Sequence, residues 1–364
     1  MAATRDDVLK ALERVIDPVS GQNVVTSGMI EGLVIRDGHV GFALQVEATR
    51  GRDAEPLRKQ SEDAVTALPG ILSVTAVLTA HQGRQAPPSR PAQQHGHPAP
   101  MGIPGVESII AVASGKGGVG KSTVAVNLAL GLAQQGLKIG LLDADIYGPS
   151  QPRLLGIREK PQTENHKLRP IEKFGIKTMS IGFLVDEAAP MIWRGPMVQS
   201  ALTQMMNDVL WEPLDVLVVD MPPGTGDAQL TMAQRVPLKG AVIVSTPQDL
   251  ALIDARKAIA MFEKTKIPIL GIVENMSTYV CPSCGHESHI FGHGGARETA
   301  RTMRTPFLGD VPLVGTIREL SDAGTPVTAT APESAEAKAY LAIASEVAKT
   351  LQTPVRAAPK IVLE

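Results

Sequence analysis

One octapeptide constrains this chain more than any other feature. Gly115-Lys116-Gly117-Gly118-Val119-Gly120-Lys121-Ser122 has the spacing G-x-x-x-x-G-K-[ST]. It follows an apolar run, Ser108–Ala113, that reads as a buried strand. It opens a helical pattern, Ser122–Gln135, closed by Gly136. A strand, a glycine-rich turn and a helix in this order let successive backbone N–H groups face a phosphate, with the positive end of the helix beneath it. The cradle is expected to comprise Gly115, Lys116, Gly117, Gly118, Val119, Gly120, Lys121, Ser122 and Thr123. Lys121 would neutralise the β- and γ-phosphates of ATP, and the Ser122 hydroxyl would ligate Mg2+. Lys116 is a second lysine that an ordinary P-loop does not need. It reads as a cation reaching the phosphates of an ATP on a facing subunit.

The sequence around this loop alternates short Val/Ile/Leu runs with helical patterns. Lys138–Leu142, Val216–Val219, Ala241–Val244 and Ile269–Val273 join Ser108–Ala113 as expected strands, and their near-continuous apolar content suits a parallel sheet covered on both faces. The expected fold is therefore α/β, a doubly wound, mostly parallel sheet of P-loop NTPase type. Its ligands should bind at the carboxyl ends of the strands. Two carboxylates fall there. Asp145 ends Leu141-Leu142-Asp143-Ala144-Asp145, and Asp220 ends Val216–Val219 and precedes Met221-Pro222-Pro223-Gly224-Thr225-Gly226-Asp227. Asp220 would hold Mg2+ through water, as a Walker-B aspartate does, and the Gly224 N–H would be offered to the γ-phosphate.

Ahead of this unit, residues 1–81 read as a small α+β domain. A helix is expected over Asp6–Ile16 (Val8, Leu12, Val15, Ile16), then a hairpin turning at Gly38 between Leu33–Ile35 and Val40–Val46. A helix Glu55–Leu68 and a last strand Ile71–Leu78 complete it. Residues 82–105 are dense in Pro, Gln and Gly, and residues 83–104 have almost no apolar periodicity, so they read as a flexible linker. Residues 106–353 form the nucleotide-binding domain and 354–364 a tail. Of 364 residues, 43% are hydrophobic, enough for a real core. Aromatics are 3% and the formal charge is −2, which leaves neither stacking platforms nor a whole-chain basic signature for nucleic acid. No run approaches the ~18 apolar residues of a membrane span. Met1–Asp17 lacks the apolar core of a signal peptide. A cytoplasmic protein is expected.

Both cysteines lie in Cys281-Pro282-Ser283-Cys284-Gly285-His286. In a reducing compartment this spacing points to metal ligation or a redox pair. Zinc completed by His286, His289 or His293 within one chain is one reading. Four thiolates from two copies around a two-fold axis, the number a [4Fe–4S] cluster takes, is another.

Taken together, SGKGGVGKS (Ser114–Ser122), LLDADIYGPS (Leu141–Ser150), WRGPM (Trp193–Met197), VVDMPPGTGD (Val218–Asp227) and ENMSTYVCPSCG (Glu274–Gly285) resemble the Mrp/ApbC family of P-loop iron–sulfur cluster carriers. That family lies within the wider MinD/ParA and nitrogenase-reductase-like group. The first 80 residues are similar to a small domain of iron–sulfur assembly factors. However, Asp17-Pro18-Val19-Ser20-Gly21 departs from the usual acidic start, and the unit has no cysteine. The resemblance implies that Lys116 acts across a dimer, that Asp145 positions the attacking water and that Asn275 reads the adenine edge. It also implies that Cys281 and Cys284 bridge a cluster shared by two subunits. The implied activity is that of a homodimeric ATPase, with ATP, Mg2+ and a [4Fe–4S] cluster, that receives the cluster from an assembly scaffold and passes it to apo iron–sulfur proteins. No membrane or nucleic-acid partner is expected. The competing readings are a MinD/ParA-like positioning ATPase and a zinc-stabilised P-loop ATPase. For the former, the terminal QTPVRAAPKIVLE is a poor membrane helix, being short and broken by two prolines.

Overall fold

A computed structural model of the chain describes residues 4–36, 39–47, 54–71, 73–81, 102–165, 167–184 and 195–352. Most of the 82–105 linker, the 354–364 tail, the Gly38 turn and residues 193–194 of the Trp193–Met197 motif lie outside these residues. Contacts divide the chain into two units, Met1–His95 and Gly96–Glu364.

The first unit consists of α1 (Arg5–Leu12), β1 (Ile30–Arg36), β2 (His39–Glu47), α2 (Glu55–Thr66) and β3 (Ser73–His81). Its sheet order is β1-β2-β3, with β1 antiparallel to β2 and β3 parallel to it, so α2 is the crossover. Thr4 and Asp7 form a capping box that starts α1. The expected helix Asp6–Ile16 ends early, at Leu12. Beyond it the backbone pairs with a distant segment: Val24 N–H donates to the Val15 carbonyl at 3.0 Å and Asp17 N–H to the Gln22 carbonyl at 2.9 Å. Those bonds outcompete a further helical turn, which explains why Ile16, on the apolar stripe by spacing, is exposed. Val8, Leu12, Phe42, Leu44, Leu57 and Val65 fill the core.

The second unit runs β4 (Val106–Ala113), α3 (Lys121–Gln134), β5 (Ile139–Asp143), α4 (Gln151–Leu154), β6 (Thr163–Glu164), β7 (Lys167–Leu168), β8 (Ile171–Lys173) and β9 (Ile176–Ser180). It continues with α5 (Gly195–Asn207), β10 (Leu214–Asp220), α6 (Asp227–Arg235), β11 (Gly240–Ser245), α7 (Asp249–Lys264), β12 (Ile269–Val280) and β13 (Glu287–Ser288). The last elements are α8 (Gly295–Met303), β14 (Phe307–Leu313), α9 (Gly315–Asp322), α10 (Val327–Thr330) and α11 (Ala335–Gln352). The nine-stranded sheet has the order β13-β12-β11-β4-β10-β5-β9-β8, with β14 also on β12. The strand pairs from β14 through β9 are parallel; only the marginal β8 and β13 pair antiparallel. All five expected strands are present, and the sheet is wider than the five runs implied.

The chain leaves β4, skips a position to β5, and later inserts β10 between them, while β11 takes the other flank of β4. That reversal places the loop after β4 at a topological switch point, the usual ligand crevice of such sheets. α3 is buried along most of its length, which suits its mostly apolar sequence. In α5 the side chains of Leu202, Met205 and Met206 are buried in the core, so the methionine-rich face is packing and not an exposed dimer surface. Among the described residues no helix is long and apolar enough to cross a membrane.

Candidate functional site

The loop after β4 wraps tightly because two glycines take left-handed backbone conformations, Gly118 at φ 80° and Gly120 at φ 81°. Gly120 caps α3, and the Asn275 side-chain amide lies where its Cβ would be. Gly115 is required by packing: a Cβ there would meet the Asp254 backbone of α7. Gly120→Ala combines backbone strain with the clash against the Asn275 amide, and should weaken nucleotide binding at least about tenfold in a calorimetric titration.

Lys121 is the first residue of α3 and is buried. Its ammonium is ion-paired with Asp220, which is fully buried, and lies 3.2 Å from the Ser122 hydroxyl. The parallel register aligns Asp220 with Asp143 on β5, so two buried carboxylates sit side by side at the strand ends. Asp143, which sequence reasoning quoted but gave no role, is the hub of the neighbouring loop. Its Oδ2 accepts from Ser150 N–H (3.0 Å), Gln151 N–H (3.1 Å) and the Ser180 hydroxyl (3.0 Å), and its Oδ1 from Asp145 N–H (3.2 Å). Burial, and after it the Asp220 charge, push Asp143 up to about 7 against these donors and Lys121. Gln151 was also missed. It is fully buried, and its Nε2 donates to Asp220 Oδ2 at 2.8 Å and to the Ser122 carbonyl at 3.1 Å.

Asp145 follows this cluster, half-buried, its carboxyl raised by burial and opposed by the nearby Lys121 charge. Its Oδ1 accepts from Gly148 N–H at 3.3 Å. Lys116 is exposed on the loop. The Gly224 N–H is engaged, donating to the Ser114 carbonyl at 3.1 Å. The γ-phosphate role expected for it thus requires that bond to open. Asn275 donates through Nδ2 to the Val119 carbonyl at 2.9 Å, bracing the loop from β12. The Ser122 hydroxyl and the Asp220 carboxylate, both beside the Lys121 ammonium, are oxygen donors next to the loop, the chemistry that suits Mg2+. Within the same cluster Gln151 Oε1 is buried with no hydrogen-bond partner.

β12 connects this loop to the cysteines. Next to Asn275 on this strand, Glu274 is buried and its carboxylate accepts from Gly294 N–H (3.2 Å) and Ala296 N–H (2.7 Å) at the start of α8. Met276 then takes a left-handed conformation at φ 57° and the register with β14 shifts. The strand continues to Val280 and turns at the cysteines, Gly285 N–H donating to the Cys281 carbonyl at 2.8 Å, into β13. Cys281 is half-buried and Cys284 exposed, and both are free thiols. Backbone N–H groups of Ser283 and Cys284 hold the Cys281 thiol below its ordinary pKa, which favours the thiolate a metal requires. Among the described residues no three His, Cys, Asp or Glu side chains converge as a metal site. The competing zinc reading, completed by His286, His289 or His293 within one chain, therefore finds no ligand cluster among the described residues. His289 and His293 pack against each other with their rings tilted, centroids 4.2 Å apart.

Residues 105–348 match the family described as NUBPL iron-transfer P-loop NTPase, and residues 5–78 match one described as iron-sulfur cluster assembly protein. The iron-sulfur cluster transfer protein NUBPL of Mus musculus is 55% identical over 261 residues, 71% of this chain and 82% of that protein. The iron-sulfur cluster carrier protein of a Synechocystis strain is 44% identical over 353 residues, 95% and 97% of the two chains. Among solved structures, a nucleotide-binding protein of Archaeoglobus fulgidus in complex with ADP is 44% identical. It superposes with a TM-score of 0.54, covering 60% of this chain and 87% of its own. A family match over more than half of the residues and relatives at these identities over most of the length establish kinship: the chain belongs to the NUBPL iron-transfer P-loop NTPases.

Proposed function

We propose that the protein is an ATP-binding, ATP-hydrolysing homodimer that holds a [4Fe–4S] cluster between its two copies and delivers it, as cargo, to apo iron–sulfur proteins. The observation that carries this reading is that one sheet bears both a phosphate loop and a free cysteine pair, joined through β12, and that one chain contributes only two thiols. A cluster of this type takes four cysteine thiolates, so the second pair comes from a second copy. Leu250, Ile253 and Val280, exposed and apolar, leave the same carboxyl edge of the sheet and suit burial against that copy.

In this reading the backbone from Gly115 to Thr123 cradles the phosphates and Lys121 exchanges its Asp220 partner for them. Lys116 crosses to the partner's nucleotide, and Asp145 orients the attacking water. Asn275 meets the adenine edge, and Gly224 leaves Ser114 for the γ-phosphate. Ser122 and Asp220 hold Mg2+, which supplies charge neutralisation between the phosphates. Because Glu274 and Asn275 are adjacent, a change at the phosphate loop is felt at the base of the cysteine excursion. ATP thereby favours one arrangement of the thiolates over another, which requires it to bind the two with different affinity. We place the protein in the cytoplasm, where free thiols stay reduced and an assembly scaffold loads it.

The test is anaerobic reconstitution with iron and sulfide, followed by metal, sulfide and mass analysis. The full chain should carry about four iron and four sulfide per dimer. Cys281→Ala/Cys284→Ala should fall to background. Full cluster content in that variant, or stoichiometric zinc without sulfide in the parent, overturns the assignment.

A further inference from the structure

Gln151 stands outside the phosphate loop, yet it is tied to three parts of the nucleotide site at once. Its backbone N–H donates to Asp143, and its side-chain Nε2 donates to the Asp220 carboxylate and to the Ser122 carbonyl. Both side-chain neighbours are acceptors only, so the amide has to face them with nitrogen. Its oxygen is left fully buried and without a hydrogen-bond partner. An unmet acceptor in such a place is costly, and costliest beside buried carboxylates that add no donor of their own. Mg2+ binds with several of its waters retained, and those waters are hydrogen-bond donors needing acceptors nearby. The Gln151 side chain touches both residues assigned to the ion, Asp220 at its carboxylate and Ser122 at its backbone carbonyl.

We propose that Gln151 is a positioning residue of the magnesium site. Nε2 fixes the orientation of Asp220 against the start of α3, and Oε1 accepts a hydrogen bond from the hydration shell of the ion. The inference rests on the assignment of Ser122 and Asp220 to Mg2+, and deepens it by naming the residue that orients them.

The experiment compares ADP affinity of the full chain in EDTA and in saturating Mg2+ by calorimetry, for the parent and for Gln151→Met, which keeps the volume and removes both polar atoms. The parent should bind ADP more tightly with Mg2+. Gln151→Met should lose about tenfold of that tightening, the worth of one or two buried hydrogen bonds, read as the fall in the ratio of its affinities with Mg2+ and in EDTA. A second readout needs no substitution: the side-chain amide NMR signals of Gln151 should shift when Mg2+ is added to the ADP-saturated parent. Full Mg2+ dependence in Gln151→Met, an equal loss of affinity with and without the ion, or unmoved amide signals would each overturn the proposal. If the parent itself shows no Mg2+ dependence, the underlying magnesium assignment falls instead, and that result appears before any variant is made.

Discussion

Lys121→Met lowers nucleotide hydrolysis by about a thousandfold, the scale on which enzymes lose rate when one preorganised charge or donor at a transition state is removed. Methionine keeps the length and the packing of the stem, so the loss isolates the ammonium. The same change reaches beyond the reaction. Lys121 is ion-paired with Asp220, and Asp143 is the next carboxylate across the sheet. Without the ammonium a buried carboxylate loses its counter-charge, which costs roughly 3–5 kcal/mol when a buried pair is broken from one side. Single-turnover hydrolysis measures the first effect and calorimetric melting of the nucleotide-free protein the second. A variant that melts like the parent would show that the Lys121–Asp220 pair has no structural weight.

Asp143→Ala should destabilise the nucleotide-free protein by on the order of 4 kcal/mol, since it strands four donors, two of them fully buried, at ~1–3 kcal/mol for each buried one. For a domain of this size that is roughly 10 °C in melting temperature. The segment from Asp145 to Gln151 loses its anchor, so Asp145 and Gln151 lose their placement together. The pH dependence has a definite sign. The carboxyl of Asp143 is raised in the folded state to about 7, so the folded protein holds its proton more tightly than the unfolded chain. The resulting contribution is full below the ordinary aspartate range and is lost as pH rises toward and through about 7. The gap between parent and Asp143→Ala should therefore be wider at pH 5 than at pH 8. A melting difference under about 2 °C, or a gap that widens with pH, would contradict this account.

The phosphate loop was readable from sequence because its conformation is local. Glycines at 118 and 120 permit a backbone that few other residues adopt, and the strand before and the helix after it are each continuous patterns. The alternation of apolar runs and helices gave the parallel sheet for the same reason. Asp220 was found because it ends one of those runs. Asp143 ends another, but Asp145, two residues on, drew the functional reading. Only the register that sets Asp143 beside Asp220 shows that the earlier carboxylate is the buried one. Gln151 carried no signal at all, since a single amide in a loop belongs to no period and matches no spacing. The three histidines after the cysteines have the spacing of ligands to a metal within one chain, but among the described residues they form no ligand cluster with the thiols.

By itself, then, the amino-acid order determined five central strands of the nucleotide-binding unit and the helix after the first of them, where the phosphate loop lies, and that two thiols sit near one another. Tertiary structure alone decided which buried groups face each other: Lys121 with Asp220, Gln151 with both Asp220 and Ser122, Asn275 with Val119. The division has a physical cause. A turn or a helix is stabilised by residues within a few positions of one another, whereas these contacts join residues up to 156 positions apart. They exist only once strand order and register have been set by burial of the whole sheet.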